Sequence, residues 1–321
     1  MLNSEIIIQV CYLIAAIVFI LGLKRMSSPT TARLGIVWAG GGMLLATAAT
    51  FFTPGMGNIE LIIIAIVVGG GLAWITAKKV AMTDMPQMIA LYNGMGGGAA
   101  AAIAAVEMFK VHELEISVEI LAIIGGIIGA ISFSGSIIAF GKLQGIIKGS
   151  FRFKGQNLVN LLIMLSLILL SITILMDFEL MRNPVVAVFI IALIFGIAMT
   201  LPIGGADMPV VISLYNALTG LAVGFEGYVL QNYAMIIAGT VVGAAGTLLT
   251  QLMAKAMNRS LGNVLFSGFG DQSISIEGDS ESQGEMKPIE SSDASIMMAF
   301  AQKVIIIPGY GMAVAQAQQK V

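Results

Sequence analysis

The chain has 321 residues, of which 58% are hydrophobic and 11% are charged, and its mean hydropathy is +0.96. These values exclude an ordinary soluble domain and indicate a protein built from membrane-spanning helices. The net charge of −2 gives no sign of a nucleic-acid partner, and the single cysteine, Cys11, excludes a disulfide framework and a metal-thiolate site.

Nine apolar stretches are long enough to cross a hydrocarbon core of about 30 Å. The first follows Glu5 rather than a basic segment, and no cleavage site of small residues follows it, so it is a retained helix and not a signal peptide. We therefore predict an all-α polytopic membrane domain, residues 1–262, with nine transmembrane helices. They cover residues 6–23, 33–52, 59–77, 85–106, 116–140, 157–176, 183–202, 208–230 and 232–254.

The basic residues of the loops predict how this domain lies in the membrane. Cytoplasmic loops carry an excess of lysine and arginine, so the more basic side faces the cytoplasm. With the N-terminus outside, only Lys110 and Arg182 fall in outer loops. Nine spans then place the C-terminal segment in the cytoplasm. The inner loops carry Lys24, Arg25, Arg33, Lys78, Lys79, Lys142, Lys148, Arg152, Lys154, Lys255 and Arg259.

The sequence DMPxxxxLYN opens both the fourth and the eighth predicted span. The spans run in the same direction, so we expect a parallel internal repeat about an axis along the membrane normal. The repeat extends into the fifth and ninth spans, which contain the similar sequences GGIIGA from Gly125 and GTVVGA from Gly239. The glycines four residues apart in these sequences favour close helix packing. The repeat pairs Asp84 with Asp207, Pro86 with Pro209, Tyr92 with Tyr215, and Asn93 with Asn216.

The polar residues of these spans allow two interpretations. Asn93 and Asn216 lie about 12 Å inside their helices, at matching depth, where an amide needs a hydrogen-bond partner or a water. They either tie helices together or line an aqueous or proton-conducting path. Asp84 and Asp207 suit helix N-caps, each followed by a proline in the first turn, but they also suit the cytoplasmic mouth of such a path.

Glu226 lies deeper, in the eighth span. A carboxylate in a span is usually functional or paired, although this one lies near the outer end and could reach the headgroups. His112 falls in an acidic outer loop, where a surface histidine is the simpler interpretation than a proton relay.

The C-terminal segment has a different character. Residues 263–292 form a predicted flexible linker, with six acidic residues against one lysine between Asp271 and Asp293. Residues 293–321 then combine a helical pattern, a short apolar strand and a glycine-rich turn. The turn is typical of a dinucleotide fingerprint whose pyrophosphate would lie at a helix N-terminus, although valine replaces the third glycine. The candidate cofactor-binding residues are Gly309, Tyr310, Gly311, Met312, Ala313 and Val314.

Taken together, these motifs resemble the beta subunit of proton-translocating NAD(P) transhydrogenase along essentially the whole chain. The motifs are MTDMPQMIALYNG, GSIIAFGKLQG, GGADMPVVISLYN, KAMNRSLGNVLFSGFG and VIIIPGYGMAVAQAQ, in this order, with the acidic linker before the last.

The resemblance implies an enzyme that moves a hydride between NAD(H) and NADP(H) and couples this transfer to proton passage. It implies that a partner alpha subunit binds NAD(H) and that the domain after the linker binds NADP(H). It also implies an inner-membrane complex, expected to be a dimer of alpha/beta units, with no catalytic side chain because the hydride passes directly between nucleotides.

Two departures from the family pattern affect these expectations. Many members have a protonatable histidine where this chain has Asn93, so that role cannot be transferred, and the proton carrier is expected on an alpha-subunit helix. Residues 293–321 supply only the start of a Rossmann-like βα domain, so we expect the chain by itself neither to bind NADP(H) tightly nor to transfer hydride.

Two other functions fit parts of the sequence. A secondary transporter with a regulatory tail would account for the parallel repeat and the polar residues at mid-span. A non-catalytic membrane anchor for a soluble dehydrogenase would account for the spans and the linker.

Overall fold

A computed structural model describes residues 2–110, 115–176, 183–257, 262 and 291–305. Within these residues the regular structure is helical and no strand occurs. Two single-turn 3-10 helices, Met82–Asp84 and Gly205–Asp207, precede the fourth and eighth α-helices. The α-helices are α1 Leu2–Met26, α2 Pro29–Thr50, α3 Ile59–Lys79, α4 Met85–Phe109, α5 Ile116–Leu143, α6 Gln156–Leu175, α7 Pro184–Thr200, α8 Met208–Val229, α9 Tyr233–Ala256 and α10 Ser291–Phe300.

Each predicted span overlaps one of the helices α1–α9. Eight helices in the described part are long and apolar enough to cross a membrane, which confirms an all-helical polytopic membrane protein. The exception is α7, whose 17 residues extend only about 25 Å. It stops before the predicted end at residue 202 because Pro202 has no N–H to continue the hydrogen-bond ladder, and the chain turns there.

The bundle is organised around α5 and α8. Helix α5 packs against α4, α7, α8 and α6, and α8 packs against α9, α5 and α4. The main buried cluster follows the start of α8, where Met208, Val210 and Val211 are almost completely buried against Ala90 of α4 and Ala139 of α5. Helix α1 pairs with α2 and contacts α9, whereas α3 has no buried residue. The best-packed part of the bundle is therefore the part that contains the repeat.

The two halves of the repeat use the same packing contact. A Cβ added at Gly97 of α4 would lie 2.9 Å from the carbonyl oxygen of Gly129 on α5. At the equivalent position of α8, a Cβ added at Gly220 would lie 2.5 Å from the amide nitrogen of Gly243 on α9. Only glycine permits this approach, and the backbones are closest where the sequence repeats. The α4–α5 and α8–α9 hairpins are thus built alike.

The chain divides into two compact units, residues 1–271 and 272–321. In the second, the structure describes α10 and residues 301–305, which form no strand. Helix α10 begins two residues before the predicted boundary at residue 293. The predicted linker, residues 263–292, lies largely outside the described residues. Residues 306–321, with the candidate cofactor-binding turn, also lie outside them.

Candidate functional site

Both DMP blocks fold into the same local structure. A 3-10 turn ends at Asp84 or Asp207, an α-helix begins at the next residue, and Pro86 or Pro209 lies in its first turn. Proline suits this position because the first amides of a helix have no intrahelical partner. The aspartates occupy the N-cap positions, but neither side chain makes a capping hydrogen bond. The capping interpretation is therefore wrong for the side chains, and Asp84 instead accepts a long hydrogen bond of 3.4 Å from Gln87.

Asn93 and Asn216 occupy the same position in their helices but have different surroundings. The Asn93 amide donates a 3.0 Å hydrogen bond to the hydroxyl of Ser136 on α5. Asn216 is half-buried and makes no hydrogen bond to any described residue. The structure does not join the two amides by a hydrogen bond, and Asn216 retains an amide that water or a partner can reach.

The two tyrosines of the repeat show a second difference. Tyr215 is buried against Gly135, and its hydroxyl shares a 2.6 Å hydrogen bond with Thr200 at the end of α7. Tyr92 is 41% exposed, and its hydroxyl bonds Thr76 of α3 at 2.7 Å. The repeated tyrosine therefore fixes α8 inside the bundle but fixes α4 to the peripheral helix α3.

A pair of hydroxyls continues the polar contacts beyond the asparagines. The Ser132 hydroxyl of α5 lies 2.6 Å from the Thr219 hydroxyl of α8, and it also donates to the backbone carbonyl of Tyr215 at 3.0 Å. A Cβ at Gly96 would lie 3.2 Å from the Thr219 methyl group, so α4 closes the third side. These hydroxyls mark the line where α4, α5 and α8 meet.

Glu226 lies farther along the same face of α8. Its side chain is 0% exposed, and neither carboxylate oxygen has a hydrogen-bond partner in the described residues. Gly125 of α5 leaves the space that the carboxylate fills, because a Cβ there would collide with Oε1. The expectation that Glu226 could reach the headgroups is wrong, since the side chain points into the bundle.

We call the set Asn93, Ser136, Ser132, Thr219, Asn216 and Glu226 the polar seam. On α8 its members are spaced by three and seven residues, and Ser136, Ser132 and Gly125 on α5 by four and seven, so each helix presents one face. From Asn216 to Glu226 the seam extends about 15 Å along α8. Uncharged amides and hydroxyls make up its inner part, and a buried carboxylate ends it.

The sequence interpretation missed the members of the seam that lie between the repeated motifs. Ser132 and Ser136 belong to the run SFSGS, which interrupts the otherwise apolar α5, and Thr219 follows Asn216 by one helical turn. Their spacing was a signal that could have identified them. Gly125 and Gly129 were identified only as packing residues, although Gly125 also makes room for Glu226.

The end of the seam nearer the start of α8 adjoins a tightly held turn between α7 and α8. The buried Lys142 of α5 donates hydrogen bonds to the backbone carbonyls of Leu201 and Ile203. Pro202 and Ile203 are buried in this turn, which leads directly into the 3-10 turn ending at Asp207. The position of Asp207 therefore depends on contacts made by α5.

Other candidates fall outside the described residues, namely His112 and the turn from Gly309 to Val314. No group of histidine, cysteine or carboxylate side chains that could hold a metal ion occurs in the part that the structure describes. The polar seam is thus the candidate site whose geometry can be analysed.

Comparison with known proteins identifies the family. Residues 8–321 match the family model described as NAD(P) transhydrogenase beta subunit. Two curated sequences from Rhodospirillum rubrum, one of them assigned to a particular strain, are each named NAD(P) transhydrogenase subunit beta. Each is 37% identical over 319 residues, which cover 96% of this chain and 68% of the relative. This match favours the transhydrogenase over the secondary transporter, and the chain belongs to the NAD(P) transhydrogenase beta-subunit family.

Proposed function

We propose that the polar seam is the part of this subunit along which protons cross the membrane. As a member of its family, the chain is the membrane subunit of a proton-translocating NAD(P) transhydrogenase and acts as part of an enzyme complex. The observation that carries the proposal is Glu226, a fully buried carboxylate without a hydrogen-bond partner, in line with amides and hydroxyls of three packed helices. An ionisable group in such a place costs free energy that a structural role does not require.

The residues of the seam have different roles in this proposal because only one of them can titrate. Glu226 can accept and release a proton, whereas Asn93 and Asn216 cannot titrate near neutral pH and can only bind and orient water. The hydroxyls of Ser132 and Thr219 both donate and accept hydrogen bonds. They can therefore link a chain of water molecules between the asparagines and Glu226. Because Asn93 does not titrate, a proton carrier on the alpha subunit completes this path.

Asp207 and Asp84 form the cytoplasmic ends of the path in this proposal. Each lies one residue before its helix and nine residues, about two and a half helical turns, before the corresponding asparagine. The path then runs from Asp207 past Asn216 and Thr219 to Glu226.

The soluble parts of the complex are assigned from the family and from the sequence motif. We propose that NADP(H) binds to the domain that begins after the acidic linker, with Gly309, Tyr310, Gly311, Met312, Ala313 and Val314 in the turn at the pyrophosphate. The alpha subunit then binds NAD(H), and the alpha/beta unit forms a dimer in the inner membrane. When bound, the two nicotinamides supply the hydride chemistry, and the membrane residues supply the proton path.

The proposal predicts that Asn216→Leu lowers proton-coupled hydride transfer by about tenfold or more in the assembled alpha/beta complex. Leucine removes the amide that orients water but leaves the helix and the nucleotide sites intact. Asn93→Leu should act in the same direction. The measurement is proton uptake into vesicles during hydride transfer, recorded together with the rate of hydride transfer itself.

The matched control is Tyr228→Phe, a change at an exposed position of the same helix, which should leave coupling unchanged. If both leucine variants pump protons at the normal rate, the asparagines are structural and the path lies elsewhere. Loss of proton uptake with retention of hydride transfer would distinguish a coupled pump from a membrane anchor.

A further inference from the structure

Lys142 is an unusual residue for the interior of a membrane protein. It lies one residue before the end of α5, and the residue is only 8% exposed. Its ammonium group donates to the backbone carbonyls of Leu201 and Ile203, the second at 2.6 Å. A buried ammonium group that binds backbone carbonyls of another segment needs a reason beyond packing.

The two carbonyls lie just beyond the end of α7, where the partial negative charge of the helix favours a cation. Other donors from the segment after α5 hold the same stretch of chain. The Phe151 amide donates to Leu201 at 3.2 Å, and the Arg152 guanidinium donates to Pro202 at 3.4 Å. Three successive carbonyls, those of residues 201, 202 and 203, therefore face donors from one side of the bundle.

The first copy of the repeat has no such arrangement, although its sequence begins in the same way. Lys78 and Lys79, the equivalents of Leu201 and Pro202, are exposed, and no described side chain donates to the carbonyls of Lys78, Lys79 or Val80. The turn before α8 is buried and held, whereas the turn before α4 is open. The difference shows that the clamp is not a general requirement for starting a DMP helix.

We propose that Lys142 is a positioning residue that fixes Asp207 at the cytoplasmic end of the polar seam. It acts through the backbone: the ammonium holds the carbonyls of Leu201 and Ile203, and these precede the 3-10 turn that carries Asp207. The role of Asp207 itself rests on the proposed function above. Lys142 does not carry the proton; it keeps the aspartate where protons enter or leave the path.

A labelling experiment tests the position of the turn directly. Ile203→Cys, at a buried site in the turn, is introduced into the assembled complex with Cys11→Ala. We expect Lys142→Gln to increase the rate of labelling by a small thiol reagent several-fold, and Lys142→Arg to restore most of the protection. Thr83→Cys before α4 should label at the same rate in every background.

A functional experiment tests whether Lys142 acts through Asp207. We expect Lys142→Gln to lower proton-coupled turnover by about tenfold and to shift the pH of half-maximal turnover. The double variant with Asp207→Asn should be no slower than Asp207→Asn by itself, because the two residues act in one step. The matched control is Lys148→Gln in the exposed loop after α5, which should match the unsubstituted complex.

Several outcomes would overturn the proposal. Losses that multiply in the double variant, an unshifted pH profile, or unchanged labelling of Ile203→Cys would each show that Lys142 is only structural. If Lys142→Gln does not assemble, the same labelling and pH measurements are made on Lys142→Arg. This variant must keep both the protection from labelling and the pH profile of the unsubstituted complex, or the proposal is wrong. A normal rate for Asp207→Asn would instead contradict the proposed function of Asp207, which is a separate failure.

Discussion

At the scale of single residues, the environment of Glu226 explains why a carboxylate can persist inside a helix bundle. Gly125 on the facing helix provides the space for the side chain. The carboxylate is fully buried, and neither oxygen has a hydrogen-bond partner in the described residues. Such a group is suited to binding a proton and releasing it again.

We predict that Glu226→Gln lowers proton-coupled turnover by about tenfold or more while the complex still assembles. Glutamine has almost the same shape, so packing against Gly125 is retained, but its amide cannot carry a proton. The measurement is proton uptake in vesicles. Glu60→Gln, an exposed carboxylate at the start of α3, serves as the control and should have no effect.

Gly125→Ala provides an independent approach to the same residue. The added methyl group would displace the Glu226 carboxylate without changing any titratable group. If Glu226→Gln and Gly125→Ala both pump normally, the buried carboxylate has no part in proton movement.

At the scale of helices, glycines decide which helices come into contact. On α8 and α9, Gly220, Gly224, Gly239 and Gly243 bring the two backbones together, and a Cβ at Gly239 would lie 2.6 Å from the Cα of Gly224. In lipid, where apolar side chains gain little by leaving the solvent, this close backbone packing is a main source of association. The α8–α9 contact is therefore sensitive to a single methyl group.

We predict that Gly239→Ala lowers the free energy of unfolding in detergent by about 1–3 kcal/mol, because the backbones must separate. Thermal or denaturant unfolding of the purified protein measures the change. Gly70→Ala on α3 is the control, since an added Cβ there meets nothing within 4 Å. It should be neutral or slightly stabilising, as alanine is the better helix former. Equal destabilisation by both changes would contradict the packing explanation.

At the scale of the whole molecule, the distribution of basic residues predicts the orientation. With the N-terminus outside, the segment between α2 and α3 is external, whereas the segment after α5 and helix α10 are cytoplasmic. The seam then has Glu226 toward the outer side and Asp207 toward the inner side. The direction of the proposed path depends on this arrangement.

Cysteine labelling in intact cells checks the orientation, with Cys11→Ala as the background. We expect an impermeant thiol reagent to label Gly57→Cys in intact cells but Ser150→Cys and Ser292→Cys only after the membrane is permeabilised. All three substitutions are at exposed positions. Labelling of Ser292→Cys from the outside would require the opposite orientation or an even number of spans.

Much of the helical architecture could be predicted from the sequence. Long apolar runs fold as helices in lipid because the backbone must satisfy its own hydrogen bonds, so the positions of α1–α9 follow from hydropathy. The register of Asn93 and Asn216 followed from the DMP blocks, since both helices begin one residue after the aspartate. The predicted end of α7 lay two residues beyond the observed end, because Pro202 belongs to a turn that hydropathy does not detect.

The partners of the polar residues could not be predicted, because periodicity specifies a face but not the helix opposite it. The repeat pairs Tyr92 with Tyr215 in sequence, yet one is exposed and the other buried, since α8 lies inside the bundle and α4 at its side. The sequence placed Glu226 near the membrane surface, but packing against α5 turned it inward.

Sequence by itself determined the class of protein, the helices, the repeat and the family, since these depend on local composition and on motifs that are read along the chain. Tertiary structure decided which polar groups meet: Ser136 with Asn93, Ser132 with Thr219, and Lys142 with the turn before Asp207. These contacts join residues 43 to 87 positions apart. The physical reason is that a helix exposes several faces of similar polarity, and close packing at glycines such as Gly97, Gly125 and Gly135 decides which face meets a neighbouring helix.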